Sequence, residues 1–294
     1  MVPLKNRWLT CCLIEYLGNA LLIDCGEGTQ IALHLSGRKI SHIRTLLITH
    51  THADHIAGLP GFLLTLGNTG KTSPLLIAGP KGIRKTVQAL LTIAPFLPYP
   101  LEVQELEPQD ILQRDGMEIR CLALMHSVPC LGYRVTVYRK PVFSPQKAEA
   151  LQIPRPFYRQ LHEGNTVCLP DHRMIAPEQV IEKERPPLSV CYCTDTLPIP
   201  AIARFAEGAD LMICEGMYGE DDMLDKMEKK GHMLFSDAAA LAAQAGVGRL
   251  WLTHYSPAMQ NPNDYIANAK KFFPNVQAAW DGICLSLPEG KDGG

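Results

Sequence analysis

Six consecutive residues, His50-Thr51-His52-Ala53-Asp54-His55, constrain this chain more than any other stretch. Thr45-Leu46-Leu47-Ile48-Thr49 precedes them and reads as a buried strand. Ile56-Ala57-Gly58-Leu59-Pro60-Gly61 follows. A strand therefore ends in a loop that holds three imidazoles and a carboxylate. Imidazole and carboxylate suit zinc and its borderline neighbours, and so many donors in one loop can serve two ions. Any one of the ten histidines alone would carry no meaning, but three at this spacing beside an aspartate point to metal.

A single loop rarely completes a metal site. Three other apolar runs end in a donor: Cys121-Leu122-Ala123-Leu124-Met125 before His126, Leu188 to Thr194 before Asp195, and Arg249-Leu250-Trp251-Leu252-Thr253 before His254. Donors delivered by strand ends to one rim of a sheet are how α/β folds build sites. Each run is weak alone. The ordered set His50, His52, Asp54, His55, His126, Asp195, His254 is not.

That ordered set resembles the metallo-β-lactamase superfamily. The closer match is to its tRNA 3′-processing branch, the ribonuclease Z family. The stretches that carry the closer match are Leu22 to Gln30 (with Gly26-Glu27-Gly28-Thr29-Gln30), Thr49 to Gly61, Gly79-Pro80-Lys81-Gly82-Ile83, His126 to Arg134 and Leu252-Thr253-His254-Tyr255-Ser256. The resemblance runs from about Pro3 to Pro288. It implies a four-layer αββα sandwich, which periodicity alone would not select. It also implies two Zn2+ ions, with Mn2+ or Fe2+ as alternatives. His50, His52 and His126 would hold one ion, Asp54, His55 and His254 the other, and Asp195 would bridge. The implied reaction is attack on phosphorus by a metal-activated hydroxide, with Asp54 orienting it. Glu215 ends the apolar run Leu211-Met212-Ile213-Cys214, and His232 stands just ahead of a helix. By resemblance they form the pair that protonates the leaving oxygen; without it they read as a surface residue and a helix-flanking one. Asp24, after Leu21-Leu22-Ile23, is a candidate to hold a ligand imidazole. Gly26 and Gly28 read either as close-approach or as plain turn glycines.

Composition fits one soluble domain spanning 1–294. No Gly/Ser linker, low-complexity tract or short repeat divides the chain. No apolar run reaches about 18 residues, so no membrane span is expected, and the N-terminus lacks a signal-peptide apolar region. Ten cysteines, several in strand-like runs, read as buried thiols of a reducing cytoplasm. Cys191 and Cys193 alternate with Tyr192 as core residues do. A net charge of −2 gives no global pull toward nucleic acid, so RNA binding needs a local basic patch. The coarse pattern alternates. Leu9 to Tyr16 and Ala20 to Ile23 form a hairpin, and Ile43 to Thr49, Leu75 to Ala78, Leu101 to Leu106, Met117 to Leu124 and Tyr133 to Tyr138 read as strands. Gly28 to Leu35, Gly58 to Leu66, Gly82 to Leu91 and Ser236 to Ala245 read as helices, the last capped by Ser236 or started by Asp237.

Residues 140–187 break the pattern with eight prolines, awkward for a core sheet. They also carry Lys147, Arg155 and Arg159. The resemblance places here a protruding arm that grips the substrate RNA, with Arg155-Pro156 where the family has Gly-Pro. Three further departures stand out. The chain starts near the family's Pro-x-x-x-Arg element (Pro3, Arg7), so a shortened N-terminus lacking the first strand is expected. Thr65-Leu66-Gly67-Asn68 replaces a Ser-Arg-Ser segment, and Ser256-Pro257-Ala258-Met259 replaces Ser-x-Arg-Tyr, which removes phosphate contacts. The leading expectation is an endonuclease that cleaves 3′ trailers from precursor tRNA, as a homodimer if it follows the family. The alternatives are a metallo-hydrolase of small phosphodiesters and a weakly catalytic RNA- or partner-binding protein. A di-iron oxygen-reducing enzyme is disfavoured because His52 stands where that class carries Glu.

Overall fold

The strands beneath the histidine loop are apolar on both faces, so their sheet has to be covered twice. A computed structural model of the chain describes residues 2–287. Met1 and residues 288–294, which hold both ends of the expected domain and Pro288, lie outside the described residues. By compactness the chain divides into two units, one of Met1–Thr136 with Ser189–Ser286, the other centred on Val137–Leu188.

In the larger unit the first sheet has the order β1 (Cys12–Tyr16), β2 (Asn19–Ile23), β3 (Ile43–Leu47), β4 (Leu75–Gly79), β5 (Leu101–Glu105). The β1–β2 hairpin is antiparallel and the other pairs are parallel. On its outer face Leu22, Leu46, Leu75 and Ile77 pack against three helices: α1 (Thr29–Leu35) and, beyond the one-turn α2 (Ala53–Ile56), α3 (Leu59–Asn68) and α4 (Ile83–Leu90). The alternate residues Leu21, Ile23, Leu47, Leu76 and Ala78 are equally buried and point the other way. They meet a second sheet, which begins with β6 (Ile111–Arg114), β7 (Met117–Leu124) and β8 (Cys130–Val137). The two sheets are tied by Tyr133 Oη donating to the Ile48 carbonyl (2.6 Å) and Leu131 N–H donating to the Thr49 carbonyl (2.9 Å).

The smaller unit follows β8. It holds two-residue and three-residue strands, β9 (Val142–Phe143), β10 (Val167–Cys168), β11 (Met174–Ile175) and β12 (Ile181–Lys183), and the short helices α5 (Pro145–Ala150) and α6 (Tyr158–His162). Ala148, Ile153, Leu161, Val167, Leu169, Ile175 and Val180 give it a core of its own.

The second sheet resumes with β13 (Leu188–Cys193), β14 (Leu211–Glu215), β15 (Leu250–Thr253) and β16 (Val276–Ala278), mutually parallel. Its outer face is covered by α7 (Pro200–Phe205), α9 (Phe235–Ala245) and α10 (Ile266–Lys270), while α8 (Leu224–Lys230) precedes His232. Helices therefore cover both outer faces of two facing sheets, the αββα order. Cys191 and Cys193 are fully buried in this second core.

Local boundaries differ from expectation where hydrogen bonds compete. The first strand starts at Cys12 rather than Leu9, because Leu9 N–H is spent on the Glu27 carbonyl and the Thr10 carbonyl accepts from Gly26. Helix α9 starts at Phe235. Ser236 is not its cap; its hydroxyl donates to Asp221 (2.6 Å), and Asp237 accepts from Leu234 N–H (3.1 Å) instead.

Gly26 is a close-approach residue. A Cβ there would collide with the Asp54 carbonyl and with Leu9, and a Cβ on Gly58 would collide with the Gly26 carbonyl. The loop after β2 is thereby pressed against α2, clasped by Cys25 N–H to the His55 carbonyl (2.8 Å) and Gly58 N–H to the Cys25 carbonyl (2.9 Å). Gly26→Ala should destabilise the fold by about 1–3 kcal/mol through overpacking. It should also lower bound metal, because Asp54 has to move. Thermal melting with metal analysis on the same sample checks this, and a variant with parental melting and metal content would refute the close-approach reading.

Candidate metal centre

Parallel strands bring their C-terminal ends to one rim, and here those ends carry the donors. Asp24 follows β2, His50 follows β3, and Asp195, Glu215 and His254 stand at the ends of β13, β14 and β15. Asp24, Asp195 and His254 take left-handed backbone conformations, with φ of 60°, 56° and 57°. Asp and His tolerate this region better than most residues, yet it still costs about 1–3 kcal/mol each. The turn directs each side chain over the rim instead of along the strand.

All seven donors converge. His50 Nε2 and His126 Nε2 lie 3.0 and 3.2 Å from His52 Nδ1, and 3.6 and 3.8 Å from Asp195 Oδ2. The other Asp195 oxygen, Oδ1, lies 3.4 Å from His55 Nε2 and 3.1 Å from His254 Nε2. Asp54 Oδ2 closes the second group, 3.4 Å from His254 and 3.9 Å from His55. Donor atoms of His50, His52, His126 and Asp195 fall within 4.8 Å of one another, as do those of Asp54, His55, Asp195 and His254. Two groups thus share one carboxylate.

The surroundings prepare these atoms for a cation. Burial lowers the His50 pKa to about 2, aided by His55, and lowers that of His126, so both present lone pairs. Burial opposes ionisation of Asp54 and Asp195, but neighbouring imidazoles outweigh it and hold both carboxyls below their usual range. His55 goes the other way: burial lowers it, but Asp24 and Asp195 together raise it well above an ordinary histidine. His55 Nε2 and both ring nitrogens of His254 are buried without a hydrogen-bond partner. Such orphaned atoms cost about 1–3 kcal/mol each unless something fills the space between them. A donor set of imidazoles and carboxylates with orphaned, converging nitrogens fits metal ions.

The supporting contacts are equally specific. Asp24 Oδ2 accepts from His55 Nδ1 (2.8 Å), and Asp24 Oδ1 accepts from Thr49 N–H (2.8 Å). Thr49 Oγ1 also lies 3.1 Å from His50 Nδ1 and 3.2 Å from His55 Nδ1, so one hydroxyl touches an imidazole of each group. His126 Nδ1 donates to the Gly231 carbonyl (3.1 Å), and Thr194 Oγ1 donates to Asp195 Oδ1 (2.8 Å). Sequence reasoning missed Thr49, Thr194 and Gly231. The signal available for Thr49 was its place between a buried strand and the first donor.

His232 and Glu215 meet beside the donors. Glu215 is fully buried, and its carboxylate accepts from Thr196 N–H (2.5 Å), Met233 N–H (3.1 Å) and His232 Nδ1 (3.0 Å). Burial and then Asp195 raise the Glu215 pKa, against the two backbone donors. Burial lowers that of His232, against Asp195 and Asp54. The His232 ring lies 5.4 Å from that of His126 and 5.6 Å from that of His254. The remaining expected residues belong to the smaller unit. Arg155 is exposed, Arg159 pairs with Glu163 (2.9 Å), and Lys147 Nζ donates to the Ile181 carbonyl (2.6 Å).

Two sheets between helices with an imidazole–carboxylate cluster at the strand ends define a metallo-hydrolase of the metallo-β-lactamase fold. A family model described as "Beta-lactamase superfamily domain" matches residues 180–255, and one described as "Anti-Pycsar protein Apyc1" matches 4–92. The fold is similar to that of human tRNase Z, short form, at a TM-score of 0.69 and 23% identity, covering 98% of this chain and 96% of that one. It is likewise similar to YhfI from Bacillus subtilis, at 0.68 and 21%, over 96% and 92% of the two chains. The ribonuclease Z of Agathobacter rectalis is 44% identical over 98% of this chain and 95% of its own length. The chain belongs to the ribonuclease Z family and is a metal-dependent endoribonuclease.

Because the carboxylates raise His55, the metal-free centre should hold a proton there at pH 7, and metal should displace it. Loading metal-stripped protein at pH 7 is expected to release about one proton per chain, read by titration in buffers of different protonation enthalpy. His55→Ala should abolish that release. Loading without proton release would contradict the assignment.

Proposed function

We propose that this chain removes 3′ trailers from precursor tRNA with two zinc ions, Mn2+ or Fe2+ being the alternative metals. The observation that supports it best is the division of seven donors, five of them buried and two half-buried, into two groups that share Asp195, next to an imidazole held by Glu215. His50, His52 and His126 would hold one ion and Asp54, His55 and His254 the other, with Asp195 common to both groups. When bound, the ions supply a water acidic enough to attack near neutral pH and positive charge for the phosphoryl oxygens. Asp54, 8% exposed, is the carboxylate open to the attacking water and orients it. Glu215 holds His232 Nδ1–H, so the proton given to the leaving ribose oxygen comes from Nε2 of the imidazolium, a form that Asp195 and Asp54 favour and burial opposes.

Residues 140–187 serve as the RNA-gripping arm in this reading. Surface ion pairs are weak, so Arg159 can exchange Glu163 for a phosphate, while Arg155 is already exposed. Basic residues only slightly outnumber acidic ones there, so the grip is modest. A cytoplasmic location accords with cysteines that are all free and mostly buried, and no helix among the described residues is long and apolar enough to cross a membrane. A homodimer would cover Ile31 and Leu35 of α1 and Leu64 of α3, all exposed. A second reading, hydrolysis of small phosphodiesters, is favoured by the Thr65-Leu66-Gly67-Asn68 and Ser256-Pro257-Ala258-Met259 segments, which carry no arginine where the resembling family has phosphate-binding ones.

Parallel assays on precursor tRNA and bis-p-nitrophenyl phosphate separate these readings. A ribose oxygen needs a proton to leave and p-nitrophenolate does not. His232→Ala should therefore slow RNA cleavage about 10²–10⁴-fold and the small ester far less. Equal losses would make His232 structural, and a parent that hydrolyses only the ester would transfer the assignment to the second reading.

A further inference from the structure

Trp280 is a large apolar side chain that the fold leaves 59% exposed on a backbone that cannot wander. Ala279 N–H donates to the Leu252 carbonyl (2.8 Å), and the Ala279 carbonyl accepts from Tyr255 Oη (3.0 Å). The Trp280 carbonyl accepts from Ile283 N–H (3.0 Å), and the Asp281 carboxylate accepts from Trp8 N–H (2.7 Å). Arg7 adds to the clamp, donating to the Met259 carbonyl (2.7 Å) with its guanidinium 6.0 Å from the Tyr255 ring centre. Four ties over three residues fix where the indole emerges.

The strand register fixes it relative to the metal centre. Leu250, Trp251 and Leu252 of β15 pair with Val276, Gln277 and Ala278 of β16. Beyond the strand ends, Ala279 is bonded to the Leu252 carbonyl and the Tyr255 hydroxyl, on either side of His254 in the chain, so the backbone entering Trp280 runs alongside the segment that carries this donor. The exposed indole therefore stands on a segment held against the one that carries His254. The adjacent loop, Ser256-Pro257-Ala258-Met259, carries no arginine, and Met259 is turned inward at 7% exposure. This loop offers RNA no charged handle, whereas the segment beside it offers a flat aromatic one.

We propose that Trp280 is a stacking platform for an unpaired nucleobase flanking the scissile phosphodiester. The inference rests on the ribonuclease reading and adds a substrate-binding residue to it. Aromatic stacking accepts any base, because every base has a π-face, and it is insensitive to salt compared with phosphate contacts. It suits the single-stranded junction of a trailer better than a duplex.

The test compares the metal-loaded parent, Trp280→Phe and Trp280→Ala. Each is assayed for cleavage of precursor tRNA and for binding of a single-stranded oligoribonucleotide, with metal content measured on the same samples. Trp280→Ala is expected to weaken oligonucleotide binding and raise KM for precursor tRNA about tenfold, with kcat and metal content little changed. Trp280→Phe should recover most of the affinity. Of the three tryptophans, Trp251 is 7% exposed and Trp8 is packed over Gly28, so quenching of indole emission by the oligonucleotide should appear in the parent and vanish in Trp280→Phe. The inference is overturned if the parent cleaves precursor tRNA and Trp280→Ala matches it in KM and binding. It is overturned equally if alanine and phenylalanine variants both lose metal and kcat, which would make Trp280 structural. A parent that neither binds nor cleaves precursor tRNA removes the ribonuclease reading itself, and that result is read from the parent alone.

Discussion

A carboxylate with no access to water, Asp24, is the constraint on which the centre depends. A buried charge has to be fully hydrogen-bonded, and the groups that satisfy it are then fixed. Its partners are Thr49 N–H, the Thr49 hydroxyl and His55 Nδ1. Through Thr49 the same network reaches His50. One donor in each metal group is thus aimed by one acid. The acid is itself placed by the parallel pairing of β2 with β3, continued by Asp24 N–H on the Leu47 carbonyl (2.8 Å). Hairpin, strand register, acid, threonine and imidazoles form one causal line from sequence to site.

The second sheet repeats the device with different parts. Asp195 and His254 leave parallel strands by left-handed turns, and Glu215 stays at the end of the strand between them. Glu215 is not free to act as a solvent-exposed base. Three donors from the Thr196 and His232–Met233 segments converge on it, so its effect is to hold His232. On both sheets a buried acid thus stands behind an imidazole.

Legibility followed the range of the interactions. The short apolar runs Leu21-Leu22-Ile23 and Thr45-Leu46-Leu47 announced strands, and donors crowded into one loop announced metal, because both signals are local. Helix α2 has four residues, too few for a helical period to show. The bonds from Thr196 and Met233 to Glu215 span 19 and 18 residues and leave no pattern in sequence. Proline density suggested that residues 140–187 avoid a core sheet. It did not reveal that the segment has its own small core, since Pro145 and Pro177 sit in the first turns of helices, where a missing N–H costs nothing.

Chemistry and recognition are under different constraints in such a molecule. The candidate metal donors are buried or half-buried and lie in contact with one another, so a change at one disturbs several others. Exposed positions lack that coupling. Leu66 is fully buried in α3, so an arginine there would have to leave the core to meet a phosphate. With a net charge of −2, long-range attraction to an anionic substrate is weak. Recognition then has to come from contacts that work at short range and in salt. An indole held rigidly beside the last donor strand is a contact of that kind, because its stacking surface needs no counter-ion and loses little entropy on binding.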